Sequence, residues 1–217
     1  MNTFAEVFSE TDRFLRSKGI ATESTQRQKA ASQDITQFQE QTGIILPASF
    51  SGFYTGFANG FDFRWMQSED VWGIFSLPTL EHMARQRRAW ADNIHDFLDD
   101  PHSLDNCVEP TDRPAAFAIW RQMLSWVPIW NEDNGDRFCL NTTNGQILYS
   151  PHDWFDGFGS VYKTGGIVSG KDLTDFIKNW SRFCFQPNQS LWWGEFAEFG
   201  TIKWEAQYFN PQFCRDK

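Results

Sequence analysis

Apolar side chains recur at three- and four-residue spacing in five segments of the chain, which is the pattern of amphipathic helices. The predicted helices cover roughly residues 3–19, 32–43, 47–59, 78–99 and 169–183. Thr3 and Glu6 form a capping-box pattern at the start of the first helix, and Gly43 offers a left-handed exit from the second. Helices are therefore a major part of the predicted fold.

Polar residues and one proline set the predicted starts of the later helices. Ser32 is expected to cap the second helix, and Ser169 with Asp172 the last one. Pro47 is expected to be the first residue of the third helix, because its fixed φ suits a position where its missing N–H is not needed. The polar stretch 21–31 has no large apolar side chain and is predicted to be a connector.

Strand patterns lie between these helices. Two β-rich runs within residues 65–75 flank a polar turn at 67–70. The runs WVPIW, DRFCLNT and QILYS then follow one another, with Asn-Gly pairs at 134–135 and 144–145 between them. Asn-Gly pairs supply the positive φ of tight hairpin turns, so an antiparallel meander of three strands is predicted. The predicted fold class is α+β, with helices packed on an antiparallel β-sheet.

Two further segments have simpler patterns. Residues 202–208 alternate between apolar and polar side chains and predict another strand, whereas residues 101–114 have turn composition and predict a surface loop. We expect three parts in the chain: a helix and connector over 1–31, a central domain over 32–185, and an aromatic extension over 186–217 packed on the same domain.

Composition indicates a folded protein with a sizeable core. Of the 217 residues, 41% are hydrophobic and 17% aromatic. The first residues do not resemble a signal peptide, and the chain has no apolar span of about 18 residues, so a cytoplasmic protein without membrane contact is expected. The cysteines are far apart and stand mostly beside aromatic residues, which favours buried reduced thiols over disulfides or a zinc site. They are Cys107, Cys139, Cys184 and Cys214.

Negative charge is concentrated in one part of the chain. The net charge is −9, and residues 92–137 alone hold 10 acidic and 3 basic residues. The acids are Asp92, Asp96, Asp99, Asp100, Asp105, Glu109, Asp112, Glu132, Asp133 and Asp136. Such a span repels nucleic acid and attracts basic partners, although a solvated face that only aids solubility has the same composition. The charge pattern alone favours neither interpretation.

The sequence has no pattern that indicates a catalytic or metal centre. His82, His95, His102 and His152 lack metal-ligand spacing, and the glycine pairs lack a nucleotide-binding pattern. The run NEDNGDRFCLNT departs from a calcium loop, since its twelfth residue is threonine. Paired carboxylates, Asp133 with Asp136 or Asp153 with Asp156, could serve hydrolysis of a sugar bond beside tryptophan rings, but such a site also needs a pocket. No catalytic residue, metal or cofactor is predicted.

Several short signatures occur in an order that resembles the SUKH superfamily, a group named after a fungal regulator of cell-wall synthesis and its bacterial relatives. They are the Phe38-Gln39-Glu40 helix, Gly43, Leu46-Pro47, the aromatic helix up to Asn59-Gly60, Trp126-Val127-Pro128-Ile129, Gly135-Asp136, Leu140, Gly145 and Tyr149. The resemblance covers roughly residues 32–185 and implies an antiparallel sheet with helices packed on it.

Many bacterial members of that superfamily resemble immunity proteins, which bind and neutralise toxin domains, often nucleases, that neighbouring cells deliver. The resemblance thus implies a cytoplasmic inhibitor that binds a cognate toxin domain stoichiometrically, with no catalysis and no cofactor. An acidic patch with a few exposed rings suits the basic cleft of a nuclease. The candidate contact residues are Asp62, Asp70, Trp72, Asp99, Asp100, Asp105, Asp133 and Asp136.

Two other hypotheses remain open. A regulatory scaffold like the fungal namesake would bind a cellular protein instead of a toxin. A carbohydrate-binding or carbohydrate-active protein would need a groove lined by tryptophan with converging carboxylates.

Overall fold

Two antiparallel sheets and the helices packed on them make up this α+β protein. The computed structural model describes residues 3–100, 102, 109–131, 137–150, 167–187, 202 and 204–215. In chain order the elements are α1 Phe4–Ser17, β1 Thr22–Gln26, α2 Ser32–Thr42, α3 Ala48–Gly56, β2 Phe61–Ser68, β3 Val71–Leu77, α4 Leu80–Asp99, α5 Arg113–Met123, β4 Trp126–Asn131, β5 Arg137–Asn141, β6 Ile147–Ser150, β7 Ile167–Gly170 and α6 Leu173–Ser181.

The start of α1 and the end of α2 are as predicted. Thr3 and Glu6 form the capping box of α1. Gly43 ends α2 in the left-handed conformation, with φ of 70°. This conformation costs glycine little, so the residue stops the helix and redirects the chain towards α3.

Three of the predicted helix starts are wrong. The cap of α2 is Ala31 and not Ser32, since the Ala31 N–H donates to the Asp34 carboxylate at 2.7 Å. Pro47 precedes α3 with ψ of 153°, so it caps the helix instead of being its first residue. Ser169 lies in β7, and Asp172 alone caps α6.

The first sheet has the strand order β1-β2-β3. Its inner face carries Phe61, Phe63 and Trp65 of β2, all buried, and the outer face of β2 is exposed. β2 and β3 extend further than their predicted runs. β1 lies in the stretch 21–31 that was predicted to be a connector, and this prediction is wrong for residues 22–26. Its residues are polar and mostly exposed, so it has no apolar alternation to reveal a strand.

The second sheet has the strand order β4-β5-β6-β7 and contains the predicted meander. Gly145 has φ of 80° in the turn before β6, while the Asn-Gly pair at 134–135 lies outside the described residues. Helices cover this sheet on both faces. Trp126 and Leu148 face the cluster of α4 and α5, and Phe138 and Tyr149 face the main core with α6. β7 was not predicted.

The end of the chain packs on the main core without forming a strand. Ile202 and Phe213 are buried in that core, but residues 206–208 form a turn of 3₁₀-helix, so the predicted strand over 202–208 is wrong. α5 likewise begins at Arg113, within the stretch 101–114 predicted to be a loop, whose residues 101 and 103–108 lie outside the described part. The division at residues 31 and 185 stays a prediction.

Arg215 connects the two ends of the described chain through hydrogen bonds. Its Nη2 donates to the Glu10 carboxylate at 2.8 Å, and its Nη1 donates to the Thr11 hydroxyl at 2.7 Å. Its backbone N–H donates to the Arg182 carbonyl oxygen at 2.7 Å. Because α1 is thereby joined to the end of α6 and to the last described residues, both ends belong to one packed structure.

Candidate partner-binding surfaces

The exposed side of α4 carries its charges in two blocks. Arg85 and Arg88 lie in the first half of the helix, and Asp92, Asp96 and Asp99 lie in the second. All five side chains are exposed, and their three- and four-residue spacing places them along one side of the helix. We call the residues Asp92, Asp96, Asp99 and the capping Asp100 the acidic helix end.

Packing against α5 fixes the orientation of α4. The indole N–H of the buried Trp90 donates to the Met123 carbonyl oxygen at 2.8 Å, and Arg87 donates to the Leu124 carbonyl oxygen. Burial lowers the pKa of Arg87, and the charge of Asp92 acts in the opposite direction. Since one side of α4 is held in this way, the carboxylates on its other side have a defined direction.

Phe97 is an exposed ring within the acidic helix end. The helical pattern predicted an inward-facing side chain, but 43% of Phe97 is exposed. Its ring meets Trp120 of α5 edge to face, with centroids 4.1 Å apart. Asp100 follows it by three residues, the spacing at which side chains of a helix are neighbours, so the ring borders the carboxylates. A supported aromatic ring beside carboxylates is suited to anchor a basic protein partner.

The carboxylates in the last turn of α4 oppose its helix dipole, which predicts a measurable effect on stability. Negative side chains in a last turn face the partial negative charge of the helix C-terminus. The double substitution Asp96→Asn and Asp99→Asn should therefore raise the free energy of unfolding by about 0.3–1 kcal/mol. Chemical denaturation followed by circular dichroism would measure the difference.

The same helix offers a matched control. Glu81 lies in the first turn of α4, where a negative charge is favourable, so Glu81→Gln should lower the stability by a similar amount. An equal direction of change at both ends would contradict a dipole effect.

A second candidate surface is the outer face of the first sheet. We call Asp62, Arg64, Met66, Trp72 and Ile74 the sheet face. In the strand register Met66 lies opposite Trp72, and Arg64 lies opposite Ile74. Met66 is 65% exposed, and the two residues of β3 are half-buried. This face thus combines an apolar patch with charged neighbours.

Hydrogen bonds order the charged side chains of the sheet face. The Ser76 hydroxyl donates to the Asp62 carboxylate at 2.6 Å, and Arg64 Nε donates to the Glu23 carboxylate at 2.8 Å. Asp62 also lines a groove of about 380 Å³ with Glu81 and His82 of the first turn of α4. The sheet face therefore lies close to the beginning of α4.

The predicted contact residues fall on two surfaces instead of one. Asp62 and Trp72 belong to the sheet face, and Asp70 is exposed in the turn between β2 and β3. Asp99 and Asp100 lie at the other end of α4, whose 20 residues span about 30 Å. Asp105, Asp133 and Asp136 lie outside the described residues.

Met66 and Phe97 were not among the predicted contact residues. The alternation within β2 places Met66 on the side of Asp62 and Arg64, so this signal was present in the sequence. The exposure of Phe97 has no such signal, because it depends on where α5 leaves part of the ring open. Both residues are more exposed than Trp72, which was predicted.

The histidine, cysteine and acidic side chains of the described residues do not gather into a metal site. No group of three or more histidine, cysteine or acidic side chains among them could hold a metal ion. His82, His95 and His102 are exposed, and His152 lies outside the described part.

The described cysteines fit reduced thiols. Cys139, Cys184 and Cys214 are free, the first two being buried, while Cys107 lies outside the described residues. Burial raises the pKa of Cys139 and of Cys184 to about 12, so neither is a thiolate nucleophile near neutral pH.

Exposed apolar residues with charged neighbours, as on both surfaces of this α+β fold, are features of protein-binding surfaces. The model of the SMI1/KNR4 family (SUKH-1) matches residues 29–179, which is more than half of the chain. The chain belongs to this family of immunity-like and regulatory proteins, which are generally not catalytic. The match confirms the resemblance noted in the sequence and agrees with the α+β fold.

No curated protein is similar enough to the chain to count as a match. Within the described residues, no helix is both long and apolar enough to span a lipid bilayer.

Proposed function

We propose that the protein is an immunity protein, which binds a basic toxin domain in the cytoplasm and neutralises it by occupying its functional surface. The observation that carries this proposal is the acidic helix end with the exposed ring of Phe97. Family membership supports it, because relatives of this kind imply a protein partner and are generally not catalytic. The proposed inhibition is stoichiometric and needs neither catalysis nor a cofactor.

Electrostatic attraction gives the acidic helix end its proposed role. A nuclease presents a positive cleft to phosphate groups, and carboxylates of an inhibitor can occupy that cleft and speed the encounter. The net charge of −7 over residues 92–137 makes this part of the chain unattractive to nucleic acid itself. A protein with a basic surface is thus the proposed partner.

The proposed contact surface begins with Asp99 and Asp100 and includes the other predicted residues. Asp105, Asp133 and Asp136 come from the same acidic part of the sequence. We propose the sheet face, with Asp62, Asp70 and Trp72, as a second contact region of a partner large enough to reach both surfaces.

The direct test is rescue from a toxin. Where the gene immediately upstream encodes a toxin domain, that domain would be expressed in cells with and without the protein. Growth should be restored only when the protein is present, and the two proteins should form a one-to-one complex after mixing. A toxin that neither binds the protein nor loses its toxicity would overturn the proposal.

Charge reversal at the acidic helix end should slow association with the toxin. The double substitution Asp96→Lys and Asp99→Lys is expected to lower the association rate constant about tenfold at low salt, because it removes electrostatic steering. Stopped-flow mixing at several salt concentrations would measure this loss and a weaker salt dependence of the rate.

A matched control changes the net charge by the same amount through substitutions elsewhere on the surface. Glu40 and Glu205 are exposed and lie outside both candidate surfaces. If Glu40→Lys with Glu205→Lys slows association as much as the reversal on α4, the effect comes from net charge and not from the acidic helix end.

Phe97 should act mainly on dissociation. Phe97→Ala is expected to raise the dissociation rate constant of the complex about tenfold or more, since a buried aromatic anchor is worth about 1–3 kcal/mol at an interface. Ile45→Ala is the control, because Ile45 is an exposed apolar residue, at 78% exposure, in the segment between α2 and α3. Equal effects of the two substitutions would argue against an anchor at Phe97.

The family match equally supports a regulatory protein. If the protein binds no toxin and a cellular protein is captured through the acidic helix end, the regulatory hypothesis replaces the immunity hypothesis. The three described grooves beside α1, α2 and β3 are lined without tryptophan, and so do not favour the carbohydrate hypothesis.

A further inference from the structure

We propose that the edge of β1 and the groove beside it bind an extended peptide segment of a partner protein. The segment would add to the first sheet as an antiparallel strand, and its inward side chains would be two apolar residues followed by a carboxylate. This site is separate from the acidic helix end and does not rest on the proposed immunity function.

The backbone of β1 has outward N–H and C=O groups that can pair with another strand. β1 is the outer strand of the first sheet, and the Arg27 N–H donates to the Gly60 carbonyl oxygen at 3.1 Å. In an antiparallel pair, residues along a strand alternate between those that bond to the partner strand and those whose N–H and C=O groups point away from it. Because Arg27 bonds to the β2 side, Thr22, Ser24 and Gln26 direct their N–H and C=O groups away from β2. The hydrogen bonds of the described residues leave these outward backbone groups without a partner.

The edge also lacks the features that usually protect an exposed strand. β1 contains no proline, its pairing with β2 is regular, and residues 23–26 are exposed. Its single charged residue, Glu23, is engaged by Arg64 on the outer face of the sheet. An extended segment could therefore approach the backbone along the whole strand.

A groove of about 520 Å³ runs between β1 and α1. Thr22, Ser24 and Gln26 line one wall, because their side chains face the inner side of the sheet. Aromatic rings from the core form the floor, and they are Phe8, Phe57, Phe61 and Phe63. Every second side chain of an added strand would point into this groove, so apolar residues at alternate positions fit it.

The end of the groove near Thr22 is positively charged. The Asp12 carboxylate accepts hydrogen bonds from Arg16 Nε at 2.8 Å and from the Thr22 hydroxyl. Arg13 also lines the groove, is exposed, and forms no ion pair with another described residue. An antiparallel strand would have its C-terminal end beside Thr22, so a carboxylate placed there would meet Arg13.

A synthetic peptide tests the proposal directly. In acetyl-Lys-Val-Thr-Leu-Thr-Asp-Lys-amide, valine, leucine and aspartate would lie opposite Gln26, Ser24 and Thr22. Titration into the ¹⁵N-labelled full chain should give saturable chemical-shift changes centred on residues 12–16 and 22–26, with a dissociation constant on the order of 1 mM or lower. The reversed sequence, Lys-Asp-Thr-Leu-Thr-Val-Lys, has the same composition and should bind about fivefold more weakly.

Substitutions in β1 and α1 separate the backbone contribution from the charge. Ser24→Pro removes an outward N–H that β2 does not use, and should abolish binding, whereas Ser24→Ala keeps this N–H and should bind as the unmodified chain does. Arg13→Glu, on the exposed surface of α1, should weaken binding of the first peptide about fivefold and remove its advantage over the reversed one.

Three results would overturn the assignment. They are the absence of saturable shifts, shifts located away from β1 and α1, and equal binding by the Arg13→Glu variant and the unmodified chain. The edge of β1 could instead pair with a second copy of the chain. Analytical ultracentrifugation at increasing protein concentration tests for such a dimer. A dimer that Ser24→Pro dissociates would assign the edge to self-association and exclude the heterologous peptide.

Discussion

Replacing Gly73 with alanine is expected to destabilise the protein by about 2–4 kcal/mol, which corresponds to a fall of roughly 5–15 °C in the melting temperature. Gly73 lies opposite Trp65 in the strand pair, and the indole ring occupies the space above it. A methyl group there would come within 2.3 Å of Trp65 Nε1 and 2.5 Å of the Cys184 carbonyl oxygen. No small movement of a flexible side chain can relieve both contacts.

Displacing Trp65 would also weaken contacts elsewhere, because its side chain joins distant parts of the chain. Its indole N–H donates to the Cys184 carbonyl oxygen at 2.7 Å, and its ring contacts Phe213 with centroids 4.6 Å apart. Cys184 and Phe185 have φ of 51° and 58°, which is strained for residues with side chains. The hydrogen bond from Trp65 helps to hold that strained turn, so displacing the ring would weaken it as well.

Gly52 provides the matched control for Gly73. It lies in the middle of α3, where an added methyl group meets nothing within 4 Å. Gly52→Ala should therefore stabilise the protein by about 0.5–1 kcal/mol, since alanine is the better helix former. Urea denaturation of both variants would test the pair. A loss below about 1 kcal/mol for Gly73→Ala would show that the ring above it moves easily.

The second large effect is expected for Phe8→Ala, which should lower the free energy of unfolding by about 3–5 kcal/mol. The Phe8 ring stands in the middle of an aromatic cluster, with its centroid 4.4 Å from that of Phe61, 5.2 Å from Phe75 and 5.3 Å from Phe185. These partners come from β2, β3 and the turn after α6. Truncating Phe8 would thus leave a cavity where α1 meets the core.

The comparison with Phe14 tests whether α1 is integral to the structure. Phe14 is on the same helix but only half-buried, so Phe14→Ala should cost about 1 kcal/mol. Urea denaturation followed by tryptophan fluorescence and by far-ultraviolet circular dichroism should give one coincident transition for each variant. Equal small effects, or a separate early transition, would indicate that residues 1–31 form an accessory unit instead of part of the core.

The regular elements with a buried apolar side could be predicted from the sequence. α4 has Met83, Trp90 and Ile94 on one buried side, so its period is visible over five turns. The meander has apolar runs separated by turn residues. In both cases the residues that pack in the core are close in sequence, and their spacing alone specifies the element.

The missed elements have weaker local signals. β1 presents Thr22, Ser24 and Gln26 to a groove instead of the core, so no apolar alternation marks it. β7 has only four residues. α5 does have an apolar side, including Ala116 and Trp120, but the turn-like residues before it obscured its start. The two strands therefore depend on pairing with distant strands, whereas α5 carried a local helix signal that the sequence-based prediction missed.

The candidate surfaces could be predicted only in part. Charge density along the sequence led to Asp99 and Asp100, and both are exposed at the end of α4. Sequence alone could not show that Asp62 and Trp72 lie on a different surface, since this separation follows from the direction in which α4 leaves the first sheet. The exposure of Phe97 depends on the neighbouring helix α5, which the pattern did not predict.

The contacts between Arg215 and α1 have a consequence for the order of folding. The guanidinium of Arg215 is separated from Thr11 and Glu10 by 204 and 205 positions in the chain. The turn at Phe185, which packs on Phe8, is also distant from it in sequence. Because closing such long loops costs entropy before the contacts form, we expect α1 to dock on the core only in the final cooperative step of refolding.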